Sequence, residues 1–165
     1  MTALHDAAYD ADERAVAKLL EAGRDPDEVD AKGFTPLAWA CLRGAVGDQV
    51  PVASLLLAAG ADANYRGASN GSDSVLTLAV QSGRVELVEL LLRSGADPNL
   101  SVEEVTPLMA AARRGSSELV WLLIRNGARA GTSSRGFTAA DYAEHHGHDA
   151  LAAELRTLGA AGEGG

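Results

Sequence analysis

Glycines recur along the chain at a nearly constant spacing, and this period constrains the fold more than any other feature. One set follows leucine-rich runs at positions 23, 60, 95, 127 and 159, and a second set lies at positions 44, 83, 115 and 147. The last two steps of each set are 32 residues long. A period of this length is typical of proteins in which one small helical or mixed unit is repeated and stacked on its neighbours.

A hydroxyl residue stands nine positions before each glycine of the second set. The same spacing relates Thr2 to position 11, which holds alanine instead of glycine. These hydroxyl residues are Thr2, Thr35, Ser74, Thr106 and Thr138. Ser and Thr side chains cap the free amides at a helix N-terminus, and the prolines at positions 36 and 107 suit the first helical turn. Since glycine often ends a helix, the pattern predicts a short helix, a glycine turn, a longer helix, a second glycine and a polar loop.

The longer helices are amphipathic and cannot bury their apolar faces alone. In the third unit the apolar side chains recur at spacings of three and four, at Val85, Leu87, Val88, Leu91 and Leu92. Only 4% of the residues are aromatic, so leucine and alanine must fill the core, which suits helices. Stacking buries such stripes between neighbouring units, and we therefore expect an all-α solenoid.

Several strings of the sequence resemble ankyrin repeats, namely GFTPLAWACLRG at 33–44, ELVELLLRSGADPN at 86–99 and VTPLMAAARRG at 105–115. The resemblance covers about residues 2–160 and implies one ankyrin-repeat domain, residues 1–160, with a disordered tail at 161–165. It implies stacked helix-turn-helix units joined by short β-turn or hairpin loops, with repeats at about 2–29, 30–68, 69–100, 101–132 and 133–160. The first and last units depart most from the family pattern, as expected of capping repeats.

Two insertions interrupt the period. Between Gly44 and Gly60 the chain is longer than in the other units by about one helical turn, so we expect a lengthened second helix capped by Asp48. Between Gly60 and Ser74 the added sequence RGASNGSD, residues 66–73, is polar and rich in glycine. This finger is either a tolerated surface insertion or a contact for a partner, and the sequence leaves both interpretations open.

In ankyrin repeats a concave groove is built from the short helices and the loop tips, so the resemblance implies binding through a surface rather than catalysis. The corresponding positions precede each capping residue or follow it by four, seven and eight residues. The implied partner-binding residues are Tyr9, Asp10, Lys32, Phe34, Trp39, Leu42, Arg43, Asp73, Gln81, Ser82, Glu103, Val105, Arg113, Arg114, Arg135, Phe137, Tyr142, His145 and His146. Aromatic and arginine side chains dominate binding hot spots, and most of the chain's aromatic residues belong to this set.

The net charge and its distribution along the chain restrict the classes of partner that can bind. The formal net charge of −9 disfavours nucleic acid and anionic membranes, because both would repel the chain. Acidic residues crowd the N-terminal end at positions 6, 10, 12 and 13, whereas arginines at 43, 113, 114 and 135 belong to the groove set. We therefore expect a protein partner with a basic segment toward the N-terminal end and an acidic segment toward the arginines.

The sequence also indicates a compartment. The first residues lack the cations and the apolar run of a signal peptide, and no apolar run reaches membrane-spanning length. A single cysteine, Cys41, forms no internal disulfide and is compatible with a reducing compartment. We expect a cytoplasmic protein that is monomeric rather than oligomeric and carries no cofactor.

The favoured interpretation is a non-catalytic module that binds one protein partner, for example as an inhibitor or immunity-type regulator. Two alternatives stay open. The segment AEHHGHD at 143–149 places His145 and His148 near acidic residues, as in a metal-dependent enzyme, although Gly147 turns the chain between them and we expect no metal. Trp121 falls outside the predicted buried stripe, which would suit a self-associating scaffold.

Overall fold

The computed structural model describes residues 1–42, 44–67, 73–101 and 105–162. The chain divides into two compact units, Met1–Ala96 and the residues from Asp97 onward. Helices account for nearly all of the regular structure in the described residues, with one short two-stranded hairpin. The predicted all-α class, built from repeated helix pairs, is confirmed.

The first unit contains three helix pairs. Its helices are α1 (Ala3–Tyr9), α2 (Glu13–Glu21), α3 (Pro36–Cys41), α4 (Val50–Ala58), α5 (Val75–Ser82) and α6 (Val85–Arg93). The first helices of successive pairs pack on one another, α1 on α3 and α3 on α5, and the second helices do the same, α2 on α4 and α4 on α6. This unit is therefore two layers of parallel-stacked helices with the core between them.

The second unit contains two helix pairs and the hairpin. Its elements are α7 (Pro107–Arg114), α8 (Ser117–Arg125), β1 (Ser133–Ser134), β2 (Phe137–Thr138), α9 (Ala139–His145) and α10 (Asp149–Gly162). Helix α9 packs on both α7 and α10. The hairpin leads directly into α9, so residues at its tip lie beside the first turns of that helix.

The predicted helix starts are confirmed at the hydroxyl residues. The Thr35 side chain accepts a hydrogen bond from the Ala38 amide at 3.2 Å, and Ser74, Thr106 and Thr138 bind the corresponding amides of their own helices. Thr2 is tied to His5, whose Nδ1 accepts the Thr2 amide at 3.2 Å. The caps at Thr35, Ser74, Thr106 and Thr138 each satisfy an amide that the helix cannot pair internally, which fixes where these short helices begin.

Leucine and alanine fill the core, as the composition indicates. In α6, Leu87, Val88 and Leu91 are fully buried, whereas Val85 and Leu92 lie at the edges of the stripe and are half-buried. Cys41 is also fully buried and lies on the core side of α3, as its position in the repeat predicts. The amphipathic pattern of α6 therefore predicted which face is buried. It also included Val85 and Leu92, which are only half-buried.

The extra residues of the second repeat do not lengthen its second helix, so that prediction was wrong. Helix α4 has nine residues, as do α6 and α8, and begins after Gln49, while the Asp48 carboxylate accepts the amide of its first residue, Val50, at 3.0 Å, as the cap prediction requires. The added residues form a loop bound to its neighbours: the Val46 amide and the Gln49 side-chain amide both donate to the Tyr9 carbonyl oxygen, at 3.0 and 2.9 Å. A helical extension would lose these bonds.

Two other predictions concern the finger and the tail. Arg66 forms an isolated antiparallel bridge with Ser74 at the base of the finger, and residues 68–72 lie outside the described part of the chain. Helix α10 continues to Gly162, so positions 161 and 162 are helical rather than disordered, while 163–165 lie outside the described residues. Alanine at positions 160 and 161 has the highest helix propensity, which favours this extension, whereas the glycines at 159 and 162 oppose it.

Candidate functional site

The predicted groove residues lie on the first helices of the pairs and on the loops that precede them, and their environments differ widely. Asp10, Lys32, Arg113, Arg114, Arg135, Phe137, His145 and His146 are exposed, and most of the others are half-buried. Trp39 is the exception among the described members, with only 9% of its surface exposed. Arg43 and Glu103 belong to the predicted set but lie outside the described residues.

In the first unit the aromatic residues pack against one another and form a closed cluster. Phe34 and Tyr9 both pack on Trp39, with ring centroids 5.2 and 5.7 Å from its ring, Phe34 tilted and Tyr9 edge-on. The Lys32 ammonium lies 5.3 Å from the centre of the Trp39 ring. Such edge-on and cation–π contacts stabilise the arrangement beyond the area they bury. Trp39 is therefore a structural support here and offers little surface to a partner.

Asp30 holds the closed cluster to the loop before α3. Its Oδ2 accepts the Trp39 indole N–H at 3.0 Å, and its Oδ1 accepts the amides of Lys32 and Phe34 at 2.8 and 3.1 Å. Burial acts to raise the pKa of Asp30, but these three hydrogen bonds, with the nearby His5, outweigh burial and hold the pKa below its usual value. Asp30 does not belong to the predicted groove set, although it stands at a fixed position, five residues before the cap Thr35.

Other predicted residues of the first unit are engaged within the fold. The Gln81 side-chain amide donates to Asp73 at 2.9 Å, and the Ser82 hydroxyl donates to the Ala79 carbonyl at 2.7 Å. Tyr9 and Leu42 are half-buried. Polar groups that already have such partners must exchange one set of hydrogen bonds for another when a partner binds, so they add little net affinity.

In the second unit the aromatic residues form an open cleft. Phe137, Tyr142, His145 and His146, all predicted groove residues, line a depression of about 220 Å³ together with Asp141. Phe137 is 58% exposed, more than any other large apolar side chain among the described residues. We call these five residues the aromatic cleft. Phe137 thus leaves apolar surface exposed beside polar side chains.

The hairpin before α9 explains why Phe137 points outward. Arg135 and Gly136 at its tip both have left-handed backbone conformations, with φ of 50° and 84°. Glycine adopts this conformation without strain, whereas arginine does so at a cost, and two such residues make a tight turn between paired strands. The turn places Phe137 at the start of β2, one residue before the cap of α9.

Asp141 lines the cleft, but its carboxylate is already engaged in contacts within the fold. Its Oδ2 accepts both the Thr138 amide and the Thr138 hydroxyl, each at 2.7 Å, and its Oδ1 lies 3.8 Å from the Arg156 guanidinium. The bonds from Thr138 hold the pKa of Asp141 below its usual value. Asp141 and Thr138 thus form a capping box that fixes the first turn of α9.

The histidines do not form a metal site in the part of the chain that the structure describes. The His145 and His146 rings lie 5.3 Å apart in an edge-on arrangement, and His146 Nδ1 is 2.9 Å from the Tyr142 carbonyl oxygen. Across residues 1–42, 44–67, 73–101 and 105–162, no group of three His, Cys, Asp or Glu side chains could hold an ion. His148 instead packs on Gly115, where an added Cβ would lie 2.3 Å from the imidazole.

The other candidate residues are also explained by packing. Burial raises the pKa of the Cys41 thiol to about 12, so the thiolate that a nucleophile needs is not formed. Trp121 on α8 is half-buried rather than fully exposed. No helix among the described residues is long and apolar enough to cross a membrane.

Comparison with known proteins agrees with this architecture. The family described as Ankyrin repeats (3 copies) matches residues 4–102 and again residues 76–161. Among similar proteins, the B-cell lymphoma 3 protein homolog of Mus musculus is 39% identical over 113 residues, which are 67% of this chain and 24% of that protein. Protein glp-1 of Caenorhabditis elegans is 34% identical over 168 residues, 95% of this chain and 13% of that protein.

A further similar protein, the Ankyrin repeat and KH domain-containing protein mask-1 of Caenorhabditis elegans, is 40% identical over 75 residues, 45% of this chain and 3% of that protein. The chain therefore spans less than a quarter of the length of each of these three relatives.

Proposed function

The chain belongs to the ankyrin-repeat family, and from that premise we propose that it is a non-catalytic module that binds one protein partner through the first helices of its pairs and the loops before them. Ankyrin repeats are protein–protein interaction modules, so binding is the function that the fold supports. The observation that carries the proposal is the aromatic cleft, because it exposes a phenylalanine that the protein's own packing leaves uncovered.

Inhibition by occlusion is one form of this function, and the acidic N-terminal end supports it. Asp6, Asp10, Asp12 and Glu13 are all exposed in the first unit. A basic partner would be attracted to this end, and complementary charge accelerates association and selects partners. A bound module that covers the working surface of such a partner would act as an immunity-type regulator.

A matched pair of variants tests the proposal by affinity capture from the source cells. The test variant is Phe137→Ala/Arg113→Glu, which alters two exposed residues of the predicted binding face. The control variant is Val46→Ala/Arg125→Glu, which makes the same kind of change at residues that are also exposed but do not belong to the predicted binding set. Circular dichroism and thermal unfolding first establish that both variants are folded.

The proposal predicts that a protein captured stoichiometrically by the wild type is lost with the test variant and retained with the control variant. Equal retention by both variants would show that the partner binds elsewhere, for instance at the finger or at the second helices. Capture by neither the wild type nor the control, in cells where the protein is expressed, would count against an interaction module altogether.

A further inference from the structure

We propose that the aromatic cleft of the second unit receives a trimethylated lysine of a partner protein, with its quaternary ammonium group seated against the rings of Phe137 and Tyr142 and beside the carboxylate of Asp141. This inference rests on the proposed function and specifies the chemistry of the partner. Three observations support it: the rings and the charge that line the cleft, a cation–π contact at the equivalent positions of the first unit, and the internal hydrogen bonds of the carboxylate.

The lining of the cleft combines aromatic rings with one negative charge. The rings of Phe137 and Tyr142 and two imidazoles line it, and among the described residues of this lining Asp141 is the only acidic or strongly basic one. Aromatic faces attract cations, and sites built from several rings are typical of quaternary ammonium recognition. At about 220 Å³ the cleft is smaller than the roughly 300–1,000 Å³ of sites for whole small molecules, so it suits the head group of one side chain.

Asp141 keeps its negative charge in the folded protein. Hydrogen bonds from the Thr138 amide and hydroxyl hold its pKa below the usual value, so the carboxylate is ionised at neutral pH. Asp141 and Glu144 also share the guanidinium of Arg156. Two carboxylates against one cation leave an excess of negative charge in this group of three side chains, and that excess favours a positive occupant of the adjoining cleft.

The first unit contains a cation–π contact at the equivalent positions. In each repeat a phenylalanine stands one residue before the capping threonine and a second ring four residues after it, as Trp39 in one repeat and Tyr142 in the other. The Lys32 ammonium lies 5.3 Å from the centre of the Trp39 ring, and the Asp30 carboxylate accepts the indole N–H. The counterpart of Lys32, Arg135, is not among the described residues that line the cleft, so the space over its rings is open to a cation from a partner.

Two further positions differ between the repeats. Tyr9, seven residues after the cap of the preceding repeat, packs edge-on against Trp39, whereas Arg113 holds that position in the second unit. Asp30 stands five residues before its cap, and its counterpart is the exposed Ser133. In the second unit the carboxylate therefore comes from α9 itself, and no ring of the preceding repeat takes the place that Tyr9 has in the first.

The internal hydrogen bonds of Asp141 favour a methylated cation over an unmodified lysine. Its Oδ2 already accepts two hydrogen bonds from Thr138, and its Oδ1 lies 3.8 Å from the Arg156 guanidinium. An ammonium group carries three N–H donors, and donors that lose water without gaining an acceptor cost free energy. A trimethylammonium group has no N–H, keeps its positive charge, and presents methyl groups to the rings. It therefore binds through charge and apolar contact alone, which are what the cleft offers.

Three capped peptides that differ only in their central residue test this inference. The central residue is trimethyllysine, lysine, or the neutral analogue of trimethyllysine with carbon in place of the ammonium nitrogen. Each is titrated into the ¹⁵N-labelled full chain at mildly alkaline pH, where imidazole is generally uncharged. The trimethyllysine peptide should bind, with amide shift changes concentrated in the hairpin and α9, and the other two should bind at least about fivefold more weakly.

Matched variants locate the site. Phe137→Ala should weaken the binding of the trimethyllysine peptide by about tenfold, whereas Phe34→Ala, at the equivalent position of the closed cluster, should leave it unchanged. Asp141→Asn keeps an oxygen for the cap of α9 but removes the charge, and should weaken binding by about threefold. Glu118→Gln removes an exposed carboxylate from the first turn of α8 and should have no effect.

Arg113→Glu distinguishes a positive occupant from a negative one. Arg113 is exposed in the last turn of α7, a helix that packs on α9. Reversal of its charge should tighten the binding of the trimethyllysine peptide or leave it unchanged, because a cation gains nothing from a neighbouring arginine. Weaker binding to this variant would overturn the inference.

Equal or tighter binding of the neutral analogue would show that the cleft recognises shape rather than charge, and equal or tighter binding of unmodified lysine would remove the role of methylation; either result overturns the inference. Shift changes outside the hairpin and α9, or no binding at millimolar peptide, would also overturn it. Binding of free choline without binding of the peptide would overturn a protein source for the ammonium group. These failures remain distinguishable from failure of the proposed function, because a partner captured by the wild type and lost with Phe137→Ala/Arg113→Glu would still establish the interaction module.

Discussion

The closed cluster of the first unit and the cleft of the second place aromatic rings at the same repeat positions but expose them to different extents. In the closed cluster, Asp30 accepts a hydrogen bond from the Trp39 indole and Tyr9 packs against its ring, and only 9% of the Trp39 surface is exposed. In the second unit, Ser133 and Arg113 stand at the equivalent positions; Tyr142, the counterpart of Trp39, is half-buried, and Phe137, the counterpart of the half-buried Phe34, is 58% exposed. Different residues at two neighbouring positions thus accompany a closed aromatic cluster in one unit and an open one in the other, so residue type and repeat position do not by themselves set the exposure of a ring.

The largest difference should appear when the helix ring of each pair is removed. Trp39→Ala deletes a buried side chain and should lower the free energy of unfolding by about 3–5 kcal/mol. Tyr142→Ala removes a half-buried ring and should cost about 1 kcal/mol. Urea denaturation followed by far-ultraviolet circular dichroism measures both. If Tyr142→Ala costs as much as Trp39→Ala, the cleft is part of the core and the comparison fails.

Asp30 should matter more than the residue at the equivalent position. Asp30→Asn places an amide N–H₂ against either the Trp39 indole N–H or the two backbone amides that Asp30 accepts, so one donor is left facing another. We expect a loss of about 1–3 kcal/mol in the free energy of unfolding. Ser133→Asn, an exposed change in the second unit, serves as the control and should alter stability by less than about 0.5 kcal/mol.

The stability that Asp30 contributes should also depend on pH, because its carboxylate accepts these hydrogen bonds best when it is charged. The pKa of Asp30 is lowered in the folded protein, so the charged form contributes stability above the carboxyl pKa of the unfolded chain, about 3.9. This contribution is lost as the pH falls through the lower folded-state pKa. The difference in stability between wild type and Asp30→Asn should therefore shrink below about pH 4. A difference that is constant from neutral pH to below that range would exclude the charge of Asp30 as its source.

The smallest effect on stability should come from the most exposed ring. Phe137→Ala should change the free energy of unfolding by less than about 0.5 kcal/mol, because more than half of its side chain already faces solvent. Phe34→Ala, at the equivalent position, removes a half-buried ring that contacts Trp39 and should cost about 1 kcal/mol. Thermal unfolding compares the pair, and a large loss for Phe137→Ala would mean that the ring is held by the fold rather than offered to a partner.

The sequence predicted the repeated helices well because their signals are local. Thr35, Thr106 and Thr138 cap the helices they precede, and the leucines of α6 are buried on the predicted side. The loop after α3 was mispredicted because its conformation depends on a contact distant in sequence, that of Val46 and Gln49 with the Tyr9 carbonyl. A residue count alone cannot distinguish an extra helical turn from a loop bound to another repeat.

The candidate site shows the same limit. Position in the repeat selected Phe34, Trp39, Phe137 and Tyr142 equally, yet their exposure differs because of neighbours that the positional argument ignored. The signal that could have separated them is present in the sequence, as Asp30 stands five residues before one cap and Ser133 before the other. Recognising it requires knowing that the indole N–H and that carboxylate meet at 3.0 Å.

Site-specific photocrosslinking in the source cells tests the central claim most directly. The photoreactive amino acid p-benzoylphenylalanine is placed at position 137 in one version of the protein and at position 34 in another, and both are irradiated under identical conditions. The account predicts one discrete adduct with a partner protein from position 137 and little or none from position 34. An adduct from position 34 alone, or none from position 137 while the wild type still captures its partner, would contradict it.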